Sequence, residues 1–191
     1  SYTHLSRANT KSIKINNLLN KHSNYKDNIM SNTNNATNQI GLEKADMSEV
    51  IDKLNDLLSS YHMFYINVRG YHWNVKGEHF FTLHPQFEEL YTNLQVEIDE
   101  IAERILTLGG TPLHAYSDFS QHTNIQEDKN VKDGNACVQG VVTGLQALIE
   151  EQREVSALAE RAEDQGTADL VDEYVQQQEK LVWMYNAFLA K

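Results

Sequence analysis

Between His72 and Glu103, five side chains that can bind a metal ion follow one another: His72, His84, Glu88, Asp99 and Glu103, at intervals of twelve, four, eleven and four residues. No other feature constrains the chain as tightly. A four-residue interval is about one helical turn and eleven residues are close to three, so one helix would carry His84, Glu88, Asp99 and Glu103 along a stripe of about 100°. At ~1.5 Å per residue, Glu88 and Asp99 then stand about 16 Å apart along the axis. Metal–oxygen bonds are about 2 Å long, so no single ion touches both pairs. Either the pairs serve different ions, or a second copy brings its own Asp99 and Glu103 beside His84 and Glu88. An antiparallel dimer about a two-fold axis would do this and would create two equivalent sites.

The hydrophobic pattern predicts helices throughout. Val50, Ile51, Leu54, Leu57, Leu58, Tyr61, Phe64, Tyr65 and Val68 recur at three/four spacing and predict helix A over about 47–74, with Ser48 as N-cap and Gly77 as the stop. Helix B is expected from about Thr82 to Gly109-Gly110, with Pro85 tolerated in its first turn. A long connection follows, with a short helix over about 117–122. Helix C is expected over about 131–165 with Gly166 as its stop, and helix D from a Thr167 cap to about Ala190. Gly140 and Gly144, one turn apart, are expected to let another helix come close. The result is an all-α four-helix bundle with one long crossover.

Several residues take a plainer reading. His62, His114 and His122 have no partner at informative spacing and read as structural or surface histidines. Glu89, Glu97 and Glu100 read as solvated, with Glu100–Arg104 a surface pair. Cys137, the one cysteine in 191 residues, reads as a small buried side chain, excludes an internal disulfide framework and fits a reducing cytoplasm. No apolar run of 18 residues predicts a membrane span. Residues 1–41 are polar and read as a disordered N-terminal arm, with 42–191 as the bundle. Met30-Ser31 resembles a translation start, which makes 1–29 a candidate extension. Residues 1–30 hold five basic groups against one acidic, a net of +4, and leave −15 on the remainder of a chain at −11. Such an acidic body argues against a general DNA-binding surface and suits the attraction of cations.

The stretches HWNVKG, LH followed by FEELY, IDEIAERI and LGGTP resemble the core of the Dps family, the DNA-protecting mini-ferritins of starved bacteria. The resemblance runs from about Leu42 to the C-terminus and is densest between His72 and Pro112. It implies a ferritin-like four-helix bundle with a short helix in the B–C connection, assembled as a hollow shell, a dodecamer built from two-fold dimers. It also implies an intersubunit ferroxidase site: His72, His84 and Glu88 from one subunit, Asp99 and Glu103 from its partner, with two irons per site. Glu88 departs from the commoner Asp. Imidazole and carboxylate suit ferrous iron, and no Glu-x-x-His pair occurs in the chain to build a di-iron site inside one subunit. The expected function is therefore Fe(II) oxidation, with hydrogen peroxide as the oxidant the family implies, and storage of the ferric mineral. Trp73 is placed to donate an electron when only one iron is present, or else to pack at an interface. The alternative is a nucleoid-associated, DNA-compacting protein that binds DNA through the basic arm, with metal binding secondary.

Overall fold

The computed structural model describes residues 36–190. The expectations placed on residues 1–35, including the basic arm, lie outside the described residues. The chain runs α1 (Lys44–Asn74), α2 (Phe80–Thr107), α3 (Tyr116–His122), α4 (Gly134–Arg161) and α5 (Gln165–Leu189). Short connections pair α1 with α2 and α4 with α5, and α1 also packs on α4. The 26-residue-long passage from α2 to α4 carries α3 and crosses the bundle. This is the all-α, four-long-helix architecture that the periodicity predicts.

The apolar stripe of α1 behaves as expected: Met47, Val50, Leu54, Leu57, Leu58, Tyr61, Phe64 and Val68 are all buried. The same helix also buries polar residues that an apolar template does not anticipate. Asn55 donates to Thr111 O at 3.2 Å and accepts from Leu113 N at 2.8 Å. Ser60 Oγ accepts from Asn124 N at 3.0 Å. Asn67 donates to Gln126 O at 2.8 Å and accepts from Asp128 N at 3.0 Å, while Tyr71 OH donates to Asp128 Oδ2 at 2.6 Å. A long loop carries backbone groups that must find partners when water is excluded. These side chains provide them and fasten the crossover along α1.

In the centre of the bundle three helices share a closed ring of hydrogen bonds. Tyr61 OH donates to Gln152 Oε1 at 2.7 Å, Gln152 Nε2 to Gln178 Oε1 at 2.8 Å, and Gln178 Nε2 to Tyr61 OH at 2.8 Å. Glu97 lies beside it. Read from sequence as solvated, Glu97 is instead largely withdrawn from water, and burial pushes its carboxyl up to about 7. Glu100 accepts from Tyr174 OH.

Several boundaries differ from expectation. α1 begins at Lys44, before Ser48, and Glu43 makes no side-chain cap bond. The residues just before it, expected as the end of the arm, form a hydrogen-bonded turn: Asn38 Oδ1 accepts from Leu42 N at 2.9 Å and Asn38 Nδ2 donates to Leu108 O at 3.2 Å. Pro85 is inside α2, past its first turn and two residues deeper than expected. Its missing N–H leaves only the carbonyl of exposed Phe81 without a helical partner, and water can serve that group. Gly166 does not stop α4. That helix ends when Glu163 takes a left-handed φ of 58°, and Asp164, not Thr167, caps α5 by accepting from Thr167 N at 3.1 Å. Gly166 instead makes room for Arg104, whose Nη2 would lie 2.8 Å from an added Cβ. Arg104 bonds Asp164 Oδ1 at 2.6 Å and Thr167 Oγ1 at 2.9 Å, so it ties α2 to the α4–α5 corner and is not the surface partner of Glu100. Cys137 is fully buried, and burial raises its thiol to about 11.

The close approach expected at Gly144 is present. A Cβ there would lie 2.3 Å from the ring of fully buried Phe64. Overpacking costs about 1–3 kcal/mol, more than the ~1 kcal/mol that Ala gains over Gly in a helix. Gly144→Ala should therefore lower the thermal midpoint at fixed protein concentration; an unchanged midpoint would show that Phe64 can shift freely.

Candidate metal centre

α1 ends at Asn74, so the carbonyls of its last turn have no partner further along the helix. Val75 N–H bonds Tyr71 O at 2.9 Å. The next carbonyl, His72 O, is met by a side chain from α2: His84 Nδ1 lies 2.8 Å away. The relation is reciprocal, because His72 Nδ1 lies 2.7 Å from His84 O. The two rings stack with centroids 3.8 Å apart and planes 16° from parallel. A carbonyl oxygen can only accept, so each Nδ1 carries the hydrogen and donates it. Each ring is left with Nε2 as the atom that can offer a lone pair. Metal-binding histidines are held in this way, by a bond from the other ring nitrogen. Here two helices hold two such rings face to face.

Aromatic side chains enclose the pair. Phe80 stacks on His84 at 5.0 Å, and Tyr91 meets His72 at 5.4 Å and 76°. His72 is buried and His84 half-buried. Glu88, one turn beyond His84 on α2, is exposed, as are Asp99 and Glu103 further along the same helix. Asp99 lines an open recess with His62, Tyr65, Thr92, Gln95 and Val96. The structure therefore brings His72 and His84 together and leaves Asp99 and Glu103 at the other end of α2. Among the described residues, no three His, Cys, Asp or Glu side chains gather closely enough to hold one ion.

Trp73 is 65% exposed. Its ring lies under the Arg69 guanidinium, with Cζ 4.6 Å from the centroid. Arg69 Nη1 also donates to Tyr65 OH at 3.1 Å, and Tyr65 meets Tyr91 at 6.0 Å. The sequence reading missed Arg69 and Tyr91. The signal for Arg69 was available: Tyr65, Arg69 and Trp73 stand at four-residue steps on α1 and so share a face. The other histidines keep plainer roles. His62 stacks on Phe119 at 3.9 Å, and burial lowers its pKa. His122 bonds Asp56 at 2.9 Å.

With this geometry in place, comparisons with known proteins assign the class. Residues 51–191 match the family model for a ferritin-like domain. The crystal structure of the Dps protein from Vibrio cholerae O1, described as a member of a broad superfamily of ferritin-like diiron-carboxylate proteins, is 47% identical and superposes with a TM-score of 0.80, covering 81% of this chain and 98% of that one. A Dps protein from Bacillus brevis is 35% identical with a TM-score of 0.75, covering 76% and 98%. The DNA protection during starvation protein of Porphyromonas gingivalis is 36% identical over 79% of this chain and 95% of its own. The chain belongs to the Dps family of ferritin-like proteins.

The paired carbonyl bonds make a prediction for the metal-free protein. Solid-state 15N spectra of histidine-labelled protein at neutral to mildly alkaline pH, assigned with His72→Ala and His84→Ala, should show both rings with hydrogen on Nδ1. A signal from either ring with hydrogen on Nε2 alone would contradict the clasp.

Proposed function

We propose that this protein oxidises Fe(II) at sites shared between two subunits and stores the ferric product inside a hollow shell. The observation that carries the reading is the clasp of His72 and His84, which occupies both Nδ1 atoms and leaves each Nε2 free to offer a lone pair. Iron is the substrate. A donor set of imidazole and carboxylate without thiolate suits it. In this reading His72, His84 and Glu88 face Asp99 and Glu103 of the partner subunit. The exposed carboxylates are then not idle surface groups; each pair waits for the other half of the cradle. The exposure of Ile66 and Val96, large apolar residues of α1 and α2, supports a second copy on this surface.

The chain's own residues do three things here. His72 and His84, fixed by each other's carbonyls, present nitrogen donors without needing to reorient. Phe80 and Tyr91 shield the rings from water. The carboxylates neutralise charge as iron goes from two to three positive charges. Peroxide, the oxidant that the family implies, takes one electron from each of two ferrous ions and two protons, and becomes two waters. Pairing the electrons this way releases no hydroxyl radical, which gives a physical route to protecting DNA in the cytoplasm. No helix among the described residues is long and apolar enough to cross a membrane. The shell is proposed as a dodecamer of two-fold dimers.

A mixing experiment tests the shared site. His72→Ala and Glu103→Ala should each lose peroxide-driven iron oxidation when assembled alone. Co-assembled at equal ratio, mixed dimers regain one intact site of two, so about a quarter of wild-type activity should return. Wild-type rates in both single variants would remove the site, and no recovery on mixing would place all ligands in one chain. Glu88→Asp should retain activity.

The basic arm favours a second role in DNA compaction, because residues 1–30 carry a net +4. From Met30 to Lys53 only Lys44 and Lys53 are basic, so binding rests on the arm. Gel shifts should show DNA retention that falls steeply with salt and disappears when residues 1–29 are removed; retention without the arm would assign binding to the body.

A further inference from the structure

The chain has two tryptophans, and within a single subunit they are exposed alike, Trp73 at 65% and Trp183 at 67%. They differ in what lies over the ring. Arg69 Cζ is 4.6 Å from the Trp73 centroid, and among the described residues every cation found over an aromatic ring is this same arginine. The guanidinium is not loosely placed. It donates to Tyr65 OH and also lies 5.4 Å and 5.7 Å from the Tyr65 and Tyr91 centroids.

A cation over a neutral indole is attracted by the ring's negative face. Loss of an electron turns the indole into a radical cation, and the attraction becomes a repulsion between two positive charges at close range. Arg69 therefore holds Trp73 in its reduced form. A phenol escapes this penalty, because its O–H proton leaves together with the electron, whereas the indole must first pass through the radical cation before its N–H proton departs. Tyr91 is such a phenol, and its ring is against His72 at 5.4 Å.

We propose that Arg69 tunes the aromatic surroundings of the site: it makes Trp73 hard to oxidise and leaves Tyr91 as the side chain that yields an electron first. The consequence for catalysis rests on the iron-oxidising reading above, whereas the ordering of the rings does not. If only one ferrous ion is oxidised, peroxide receives a single electron and its O–O bond breaks to hydroxide and a hydroxyl radical. Tyr91 then gives that radical one electron and its phenolic proton. The O–H bond of the phenol breaks, water forms, and a neutral phenoxyl radical remains beside the ligand. Trp73, the exposed neighbour, is spared. The sequence alone suggests the opposite order, since Trp73 adjoins His72, and the four-residue step from Arg69 puts the cation on the same face of α1 without placing it over the ring.

The test needs no metal. Assembled, metal-free protein is oxidised with photogenerated ruthenium(III) tris-bipyridine, with persulfate as the electron acceptor. Peptide mass mapping reads oxidation of Trp73 against Trp183 in the same molecules, and freeze-quenched EPR distinguishes phenoxyl from indolyl radicals. In wild type, Trp73 should be modified much less than Trp183, and the radical should be a phenoxyl. Two uncharged replacements of different shape, Arg69→Gln and Arg69→Met, should each raise Trp73 oxidation roughly ten-fold over wild type, as expected when a close like charge is removed. Arg69→Lys, which keeps the charge, should stay near wild type, and Tyr91→Phe should lower the phenoxyl signal by the share that Tyr91 carries, read against the exposed Tyr116 as an internal standard. Equal modification of Trp73 and Trp183 in wild type, no rise in the uncharged variants, or an undiminished phenoxyl signal in Tyr91→Phe would overturn the proposal. The iron-oxidising reading stands or falls separately, on the mixing experiment.

Discussion

The end of one helix and the beginning of the next are joined by two histidines that each bond the other's backbone carbonyl. His84 supplies a donor to a carbonyl that α1 cannot use after it stops, and His72 donates in return to the carbonyl of His84 inside α2. A helix terminus normally needs a cap or water. Here the cap is also the candidate ligand, so the interactions that finish the α1–α2 corner also point the two rings. Any change that lengthened α1 by a turn or displaced α2 would lose the cap and the ring orientation together. The turn between the helices is secured as well, since Lys76 N bonds Lys132 O at 2.9 Å and pins the corner to the approach of α4.

The rest follows from the stiffness of α2. A helix keeps its two carboxylate-bearing stretches apart whatever the surrounding packing does, so the pairs either serve different ions or meet only through a second copy, as proposed above. A two-fold axis is the least elaborate way to supply it, because one contact surface then makes both sites. The family match and the bundle agree on the class, and the pairing of subunits is the proposal that gives the exposed acids a purpose.

Sequence periodicity was a good guide where side chains are simply apolar. The long helices and the buried faces of α1 and α4 follow from three/four spacing, and the candidate ligands stood out because helical intervals put them on one stripe. It was a poor guide where polar residues are buried for local reasons. Asn55, Ser60, Asn67 and Tyr71 serve the loop that crosses α1, a role that depends on where the loop runs in space. Glu97 looked like an ordinary surface acid because its three-dimensional neighbours, Tyr61 and Gln178, come from other helices. The α4–α5 corner misled for a different reason. Glycine ends helices so often that Gly166 passed for a stop, when its small size is needed for Arg104 and the left-handed position falls to Glu163.

The ring of Tyr61, Gln152 and Gln178 has a bearing on how such a chain can vary. Each member satisfies the next, so losing one strands two buried polar groups, whereas an all-apolar triple of similar volume would cost little. Single replacements are thus penalised and concerted ones tolerated, which creates a valley between two acceptable interiors. Lineages on either side of it would keep the same backbone while their central residues changed as a block, never one at a time.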